Sequence, residues 1–376
     1  MVKHEGSHLV QYFFAITLFL YPFEFFDHKL FLVTQVTMML LLLNRNGWYV
    51  NYKNIIYLIF IFVMLSISLF IEHFAGIQNY EPVLKIFINF GMLLLISFQY
   101  RCVLYGENTR VTLRLILSAY LLLQLAVFYY SGISVEYDQI VNTGIAPDSS
   151  MLYAIAEPLS NIFVTKNILA MYLISLFAFF LYLSHIRNDS VKMVDYMLFL
   201  IPVLLCFSRQ AMLSYLVLFS FHVFMKMKNR YLTFMLLMLS MLAGGLFFNN
   251  FFNLNSPNDG ASQRVELWLY FFENLGDYFW AGLGLSKMRL LLENQIGVDN
   301  FHMFFMNQIG AYGFVFFIFF SCVTCASFFW TGFSVANFYL FIAYYLNVSF
   351  QTFGWEFGGV YLMALSVNQR WILKNE

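Results

Sequence analysis

Residues 168–186 read ILAMYLISLFAFFLYLSHI and contain no Asp, Glu, Lys or Arg. The hydrocarbon core of a bilayer is about 30 Å thick, and a helix needs about 20 mostly apolar residues to cross it. Leucine, isoleucine and phenylalanine side chains also transfer readily into hydrocarbon. This stretch therefore predicts a membrane-spanning helix, and it decides the fold class of the chain.

Similar apolar runs lie on both sides of this stretch, and together they predict about twelve spans. The runs are 9–26, 30–43, 55–71, 83–100, 111–133, 168–186, 194–208, 211–225, 231–248, 304–324, 333–350 and 355–369. Because 194–208 and 211–225 are short, one long bent helix is an alternative to two spans there. The sequence predicts an all-α, polytopic integral membrane protein, with residues 1–376 as a single transmembrane domain.

The composition agrees with this class, because 61% of the residues are apolar and only 11% are charged. A soluble domain carries about 25% charged residues. The net charge of zero argues against a nucleic-acid partner. The first run, 9–26, leads directly into further spans, so we interpret it as a signal anchor. Cys322 and Cys325 form a CxxC without a second ligand pair, and we interpret them as small apolar helix residues.

Two polar stretches, 134–167 and 249–303, are too long to be tight turns. Loops of this length in a compact protein are commonly functional. Within the second stretch, Ser262 to Leu275 reads SQRVELWLYFFENL and mixes bulky apolar residues with charges. That mixture predicts an amphipathic helix lying in the membrane interface.

The sequence also predicts a turn and a short helix later in the second stretch. Trp280, Gly282 and Gly284 mark the turn. Ser286 is expected to cap a helix that continues to Leu292, because serine is a favoured residue at helix N-termini.

The distribution of Lys and Arg predicts the orientation. With a cytoplasmic N-terminus and alternating spans, thirteen of these residues fall in inner loops and six in outer loops. The outer six are Lys29, Lys166, Arg209, Arg264, Lys287 and Arg289. Cytoplasmic loops carry the excess of Lys and Arg in membrane proteins. Both termini are therefore expected in the cytoplasm, and both long loops on the outside.

Three outer residues have the chemistry of a functional site: Arg209, Arg264 and His302. Arg209 lies between two apolar runs, where a guanidinium is costly unless it is paired or faces water. A guanidinium also presents a planar fork of donors that matches phosphate oxygens. A neutral imidazole at position 302, where the loop re-enters the membrane, can act as a general base or hydrogen-bond donor. Taken singly, each also fits a structural role at the interface.

Taken in order with their surroundings, these residues resemble the O-antigen ligase and Wzy-type O-antigen polymerase superfamily. The resemblance covers mainly residues 160–320. Its matching pieces are Thr165-Lys166-Asn167-Ile168-Leu169-Ala170, Phe207-Ser208-Arg209, Ser262-Gln263-Arg264-Val265-Glu266-Leu267-Trp268, Gly282-Leu283-Gly284, and His302 followed by Asn307, Gln308, Gly310 and Gly313. Family members often carry Asn after this His and Glu before the first glycine; here Met303 and Gln308 stand in those places.

The resemblance implies a GT-C-like membrane enzyme of the bacterial inner membrane. Its reaction is a metal-independent, inverting glycosyl transfer on the periplasmic face, with no cofactor. The donor is an oligosaccharide on undecaprenyl diphosphate, and the acceptor is a sugar hydroxyl. A membrane lipid environment, a chain-length regulator and a flippase are the implied partners.

The implied catalytic residues are His302, Arg264 and Arg209. The two arginines would stabilise the charge that grows on the departing diphosphate, and His302 would accept or orient the acceptor proton. The implied substrate-binding residues are Arg209, Arg264, Lys166, Asn167, Gln263, Asn307 and Arg289. Outer carboxylates remain alternative bases: Glu157, Asp259, Glu266 and Asp277.

We interpret the chain as a polymerase, because its small size and the residues around His302 suit a serotype-specific enzyme. The alternative within the same fold is an O-antigen ligase that transfers the glycan to the lipid A core. An alternative from another class is a lipid-linked oligosaccharide flippase, although no internal repeat is visible. A structural membrane protein without chemistry is the fourth interpretation.

Overall fold

The computed structural model of the chain describes residues 52–76, 106–131, 155–227, 260–329 and 334–349, with isolated positions from 15 to 40 and at 231 and 235. Over these residues the protein is helical, and the only extended pairing is an isolated bridge between Phe23 and Phe163. The α-helices are α1 Tyr52–Ala75, α2 Gly106–Ser131, α3 Lys166–Ile186, α4 Met193–Leu205, α5 Arg209–Lys226, α6 Gly260–Glu273, α7 Leu275–Tyr278, α8 Leu285–Ile296, α9 Phe304–Phe329 and α10 Val335–Val348. A 3₁₀-helix, Glu157–Asn161, precedes α3.

Helix α3, which contains the stretch quoted first, lies at the centre of the protein. It packs against α2, α4, α5 and α10. Its side chains are buried from Ile168 to Ser184 on every face. A helix that is apolar all round is stable only when other elements or lipid surround it, and here neighbouring helices do so.

Four described helices are long and apolar enough to cross a membrane. The segments that meet this criterion are Leu58–Ala75, Thr109–Ser131, Lys166–Ile186 and Phe304–Ala326, and two shorter apolar helices are Met193–Leu205 and Val335–Val348. These six coincide with predicted runs. The runs 83–100 and 355–369 and both chain termini lie outside the described residues, as do residues 134–154 and 249–259 of the two loops. Most of 9–26 and nearly all of 30–43 and 231–248 lie outside them as well.

The two short predicted runs, 194–208 and 211–225, form two separate helices. Helix α4 ends at Leu205 and α5 begins at Arg209. Phe207, between them, has a φ of +49°, a left-handed conformation that stops the helix from continuing. The alternative of one long bent helix is therefore wrong.

Ion pairs join the start of α2 to the turn between α3 and α4 and to the start of α4. Arg110 of α2 contacts Asp189 (Nη1–Oδ2 3.0 Å), and Arg114 forms a two-pronged pair with Asp195 of α4 (2.8 and 2.9 Å). Arg187 also bonds Asp189 (2.8 Å). The start of α2 and the turn between α3 and α4 therefore lie together, and the start of α3 lies at the opposite end.

The described part of the second long stretch, residues 260–303, is folded into helices α6, α7 and α8. Helix α6 confirms the helix predicted from Ser262 to Leu275, with bounds shifted by two residues. The glycine turn is also confirmed, since Gly282 and Gly284 have φ values of +71° and +81°. The predicted cap is wrong: α8 begins at Leu285, its N-cap is Gly284, and Ser286 lies inside the first turn.

Helix α9, predicted as one continuous span, is interrupted at Gly313. The glycine has φ +82° and ψ +171°, which no helix allows. The amides of Leu283 and Gly284 donate to the carbonyls of Gly310 and Ala311, at 2.9 and 2.8 Å. Backbone groups at membrane depth must find partners within the protein, and here the preceding loop supplies them.

We call residues 279–284 the docked segment, because they lie along this break. Besides the two bonds above, the amide of Phe314 donates to the carbonyl of Phe279 at 2.6 Å. The rings of Phe279 and Phe314 stack with centroids 4.7 Å apart. The loop is thus tied to α9 by backbone hydrogen bonds on both sides of the break.

Candidate functional site

Lys166 and Arg209 stand at the first positions of two adjacent helices, α3 and α5. Thr165 caps α3 by accepting a hydrogen bond from the amide of Ile168 (3.1 Å). Ser208, with an extended backbone, precedes Arg209. Lys166 is only 4% exposed, and the two cations are close enough for their charges to interact.

This pair makes one end of the bundle electropositive. Helix N-termini already carry a partial positive charge from their unpaired amides and favour anions. Two cations at two neighbouring N-termini add to that field. The arrangement suits a multiply charged anion such as a diphosphate. Asn167, another predicted binding residue, follows Lys166 in the first turn of α3 and is half-buried.

His302 lies in a short loop whose backbone is fixed on both sides. Its own amide donates to Oδ1 of Asn300 (2.8 Å), and the amide of Phe301 donates to Oδ1 of Asn307 (2.9 Å). The loop holds His302 at φ +51°, in the left-handed region. A non-glycine residue in that region costs about 1–2 kcal/mol. The neighbouring contacts therefore impose this conformation, and Asn307 positions His302 through Phe301.

Arg264, in the first part of α6, is brought close to His302. The pKa of His302 is lowered from its ordinary value, first by burial and then by the charge of Arg264, while Asp299 raises it. A lowered pKa keeps the imidazole neutral at pH 7, and a neutral imidazole can accept a proton. The positive charge of Arg264 therefore lies within electrostatic reach of a neutral base.

Contacts with the last turn of α10 show that Arg209 and His302 lie at the same end of the bundle. Nε2 of Gln210, the residue after Arg209, donates to the carbonyls of Leu346 and Asn347, both at 3.2 Å. The ring of Phe305, three residues after His302, stacks on Tyr345 with centroids 5.8 Å apart. Arg209 and His302 are thus linked through one helical turn.

The remaining predicted site residues are spread over this end. Arg289 is exposed on α8. Gln263 lies in α6, and its side chain is outside the described residues, as is Asp259. The three described carboxylates named as alternative bases are exposed: Glu157, Glu266 and Asp277.

One residue of this region was missed by sequence reasoning, namely Glu72 in the last turns of α1. Its side chain is fully buried, and Oε1 accepts a hydrogen bond from the amide of Leu285 at 2.9 Å. The signal was present, because a carboxylate near the end of an apolar helix is uncommon and is usually functional. Its partner, however, lies 213 residues further along the chain.

Searches against protein-family models, curated proteins and solved structures each find no match to this chain. Function therefore has to be argued from the site and from the resemblance of its motifs, because a helical fold alone does not imply an activity.

Proposed function

We propose that this chain is an O-antigen or surface-polysaccharide polymerase. It would join oligosaccharide repeat units carried on undecaprenyl diphosphate, at the periplasmic face of the bacterial inner membrane. The observation that carries the proposal is the approach of Arg264 to His302, since the two residues come from separate elements and supply a cation and a neutral base together. The cations Lys166 and Arg209, at the starts of α3 and α5, support it as well.

The proposed reaction is a displacement at the anomeric carbon of the donor sugar. The acceptor hydroxyl oxygen forms a bond to that carbon, and the bond from the carbon to the diphosphate oxygen breaks. The hydroxyl proton passes to His302, and undecaprenyl diphosphate leaves with the bonding electrons. Attack opposite the leaving group inverts the anomeric centre.

The cations have separate duties in this scheme. Charge grows on the departing diphosphate in the transition state, and donors already fixed at that place stabilise it without reorganising. Arg209, at the N-terminus of α5, would hold the diphosphate, and the positive charge of the buried Lys166 would attract it without direct contact. Arg264, beside His302, would bind donor phosphate or stabilise the transition state while keeping the base unprotonated.

The membrane explains why the site lies at one end of the bundle. The polyprenyl tail of the substrate stays in hydrocarbon, so its diphosphate is confined to the level of the lipid headgroups. The start of α3, the start of α5 and the His302 loop belong to one end of the bundle, which in this proposal faces the periplasm.

Deletion of the gene followed by gel analysis of cell-surface lipopolysaccharide tests the proposal. A polymerase deletion leaves core carrying one repeat unit. Unsubstituted core with polymer still on the lipid carrier would instead identify a ligase. An unchanged ladder would overturn both assignments and favour the structural alternative.

A further inference from the structure

Glu72 is a buried carboxylate in an otherwise apolar helix, and burial of such a group is costly unless it is paired and hydrogen-bonded. Its side chain is fully buried. Because substrate cannot reach a fully buried carboxylate, a direct role in the chemistry does not explain it. The explanation has to lie in what the carboxylate holds in place.

The first partner of Glu72 is the start of α8. The N-cap of that helix is Gly284, which has no side chain with which to cap it. Oε1 of Glu72 accepts from the amide of Leu285 (2.9 Å), the first residue of the helix. A carboxylate at this place also suits the positive end of the helix dipole. Glu72 thus supplies from α1 the cap that the local sequence lacks.

The second partner is the half of α9 that precedes the break. Helix α9 packs directly against α1, and the carboxylate of Glu72 lies within electrostatic reach of Tyr312, next to Gly313, and of Arg289 on α8. Glu72 therefore joins three helices at one point: its own helix α1, the start of α8, and α9 at its interruption.

Close backbone packing shows that this junction is tight. A Cβ atom added to Gly284 would lie 2.5 Å from Cβ of Ala75, at the end of α1. A side chain at position 284 would therefore separate α8 from α1, so glycine is required for Glu72 to reach Leu285.

Packing around Gly310 connects α8 with the loop that carries His302. Met288 of α8 and the ring of Phe301 both pack against the bare face of Gly310, where a Cβ would lie 2.6 Å from Sδ of Met288 and 3.2 Å from the Phe301 ring. Phe301 precedes His302, and both Met288 and Phe301 are buried. A shift of α8 would therefore displace the His302 loop.

We infer that Glu72 is a positioning residue, whose carboxylate caps α8 from α1 and thereby holds the His302 loop in place. The structural part of this inference stands on the contacts alone. Its consequence for glycosyl transfer rests on the proposed function.

Hydrogen–deuterium exchange of the purified, membrane-reconstituted protein tests the structural part. In Glu72→Ala we expect the amides at the start of α8 to exchange roughly tenfold faster, because a charge-assisted cap is lost. Amides of residues 300–307 should also exchange faster. Glu72→Gln keeps an oxygen acceptor for Leu285 and should restore most of the protection. Ser68→Ala is the matched control. Ser68 is buried one turn earlier in α1, and its hydroxyl donates to the carbonyl of Met64 in the same helix (3.0 Å), so its loss should not affect α8.

Three outcomes decide the inference. Faster exchange in Glu72→Ala, with rescue in Glu72→Gln and no change in Ser68→Ala, supports it. Unchanged exchange in Glu72→Ala, or equal loss in Glu72→Gln and Ser68→Ala, overturns it. If Glu72→Ala does not accumulate, Glu72→Met decides instead, because it removes the acceptor and keeps the volume of the side chain. Faster exchange of the first α8 amides in Glu72→Met upholds the cap, and exchange like the wild type overturns it.

Polymer assays separate this inference from the proposed function. If the function is right, polymer yield at equal protein level should fall in Glu72→Ala and recover in Glu72→Gln. If exchange responds but the deletion strain shows no defect in surface polysaccharide, the cap is real and the proposed function is wrong.

Discussion

Arg209 illustrates how much one side chain can contribute when its place is a helix N-terminus. A guanidinium there can hold two phosphate oxygens at once, whereas the ammonium of lysine makes only a point contact. We expect Arg209→Lys to lower polymer yield by roughly tenfold or more, since a charge-assisted hydrogen bond contributes about 1.5–3 kcal/mol. Polymer length and yield on gels, at matched protein level, measure this. Wild-type yield in the lysine variant would show that only the charge matters.

Arg264 and His302 should act as a unit. Removal of one preorganised donor at a transition state costs about 10²–10³ in rate, and groups that serve one step are strongly non-additive. We therefore expect Arg264→Ala, His302→Ala and the double variant to have similarly low polymerisation activity, with normal insertion. Losses that multiply in the double variant, or near-normal activity of His302→Ala, would contradict this. The second result would move the base role to an outer carboxylate or to none.

Asp299 offers a test of the charge state of His302, and Asp299→Asn keeps an oxygen that can accept from the side-chain amide of Asn300. Its negative charge raises the pKa of His302, whereas burial and Arg264 lower it. Asp299→Asn should therefore lower that pKa further, so that the imidazole stays neutral to lower pH. The acid limb of the activity–pH profile should move to lower pH in this variant. A limb that stays in place, or moves upward, would show that His302 is not the titrating base.

The break in α9 at Gly313 is the place where the docked segment binds. A Cβ added to Gly313 would lie 2.4 Å from the carbonyl oxygen of Trp280 and 2.9 Å from the carbonyl carbon of Ala281. These are backbone atoms of the docked segment, which cannot move aside cheaply. The positive φ of Gly313 adds a further penalty for any side chain.

Gly313→Ala should therefore destabilise the protein by about 2 kcal/mol or more. The control is Gly276→Ala, because a Cβ at Gly276 meets nothing within 4 Å. Thermal unfolding of detergent-purified protein, followed by size-exclusion chromatography after heating, compares the two variants. Equal midpoints for Gly313→Ala and the wild type would mean that the docked segment does not lie against the break.

At the scale of the whole molecule, the two ends of the bundle should face opposite sides of the membrane. Lys287, on α8, and Ser190, in the turn between α3 and α4, are both exposed and belong to opposite ends. In a chain whose four native cysteines are replaced, Lys287→Cys should react with a membrane-impermeant maleimide added to intact spheroplasts. Ser190→Cys should react only after permeabilisation. The reverse pattern would invert the orientation and remove the periplasmic active site.

Sequence reasoning located the helices because a continuous apolar run is a local property. It also singled out Arg264 and His302 from their order along the chain; the charge of Arg264 acts on His302 in the structure, and their role in catalysis stays a prediction. It missed the interruption of α9, because Gly313 lies within an apolar run that is indistinguishable from an unbroken span. It misplaced the cap of α8, because the true cap comes from Glu72, and a contact over 213 residues leaves no local pattern.

The separation of Glu72 and Leu285 along the chain has a consequence for how the protein is synthesised. Leu285, whose amide donates to the Glu72 carboxylate, lies 213 residues after Glu72. Ribosomes add about 5–20 residues per second, so Leu285 is synthesised about 10–40 s after Glu72. During this interval the carboxylate has to remain hydrated, which a side chain in the last turns of a span can achieve by reaching toward the headgroups. Burial of the Glu72 carboxylate therefore has to wait until residue 285 of the 376-residue chain has been synthesised.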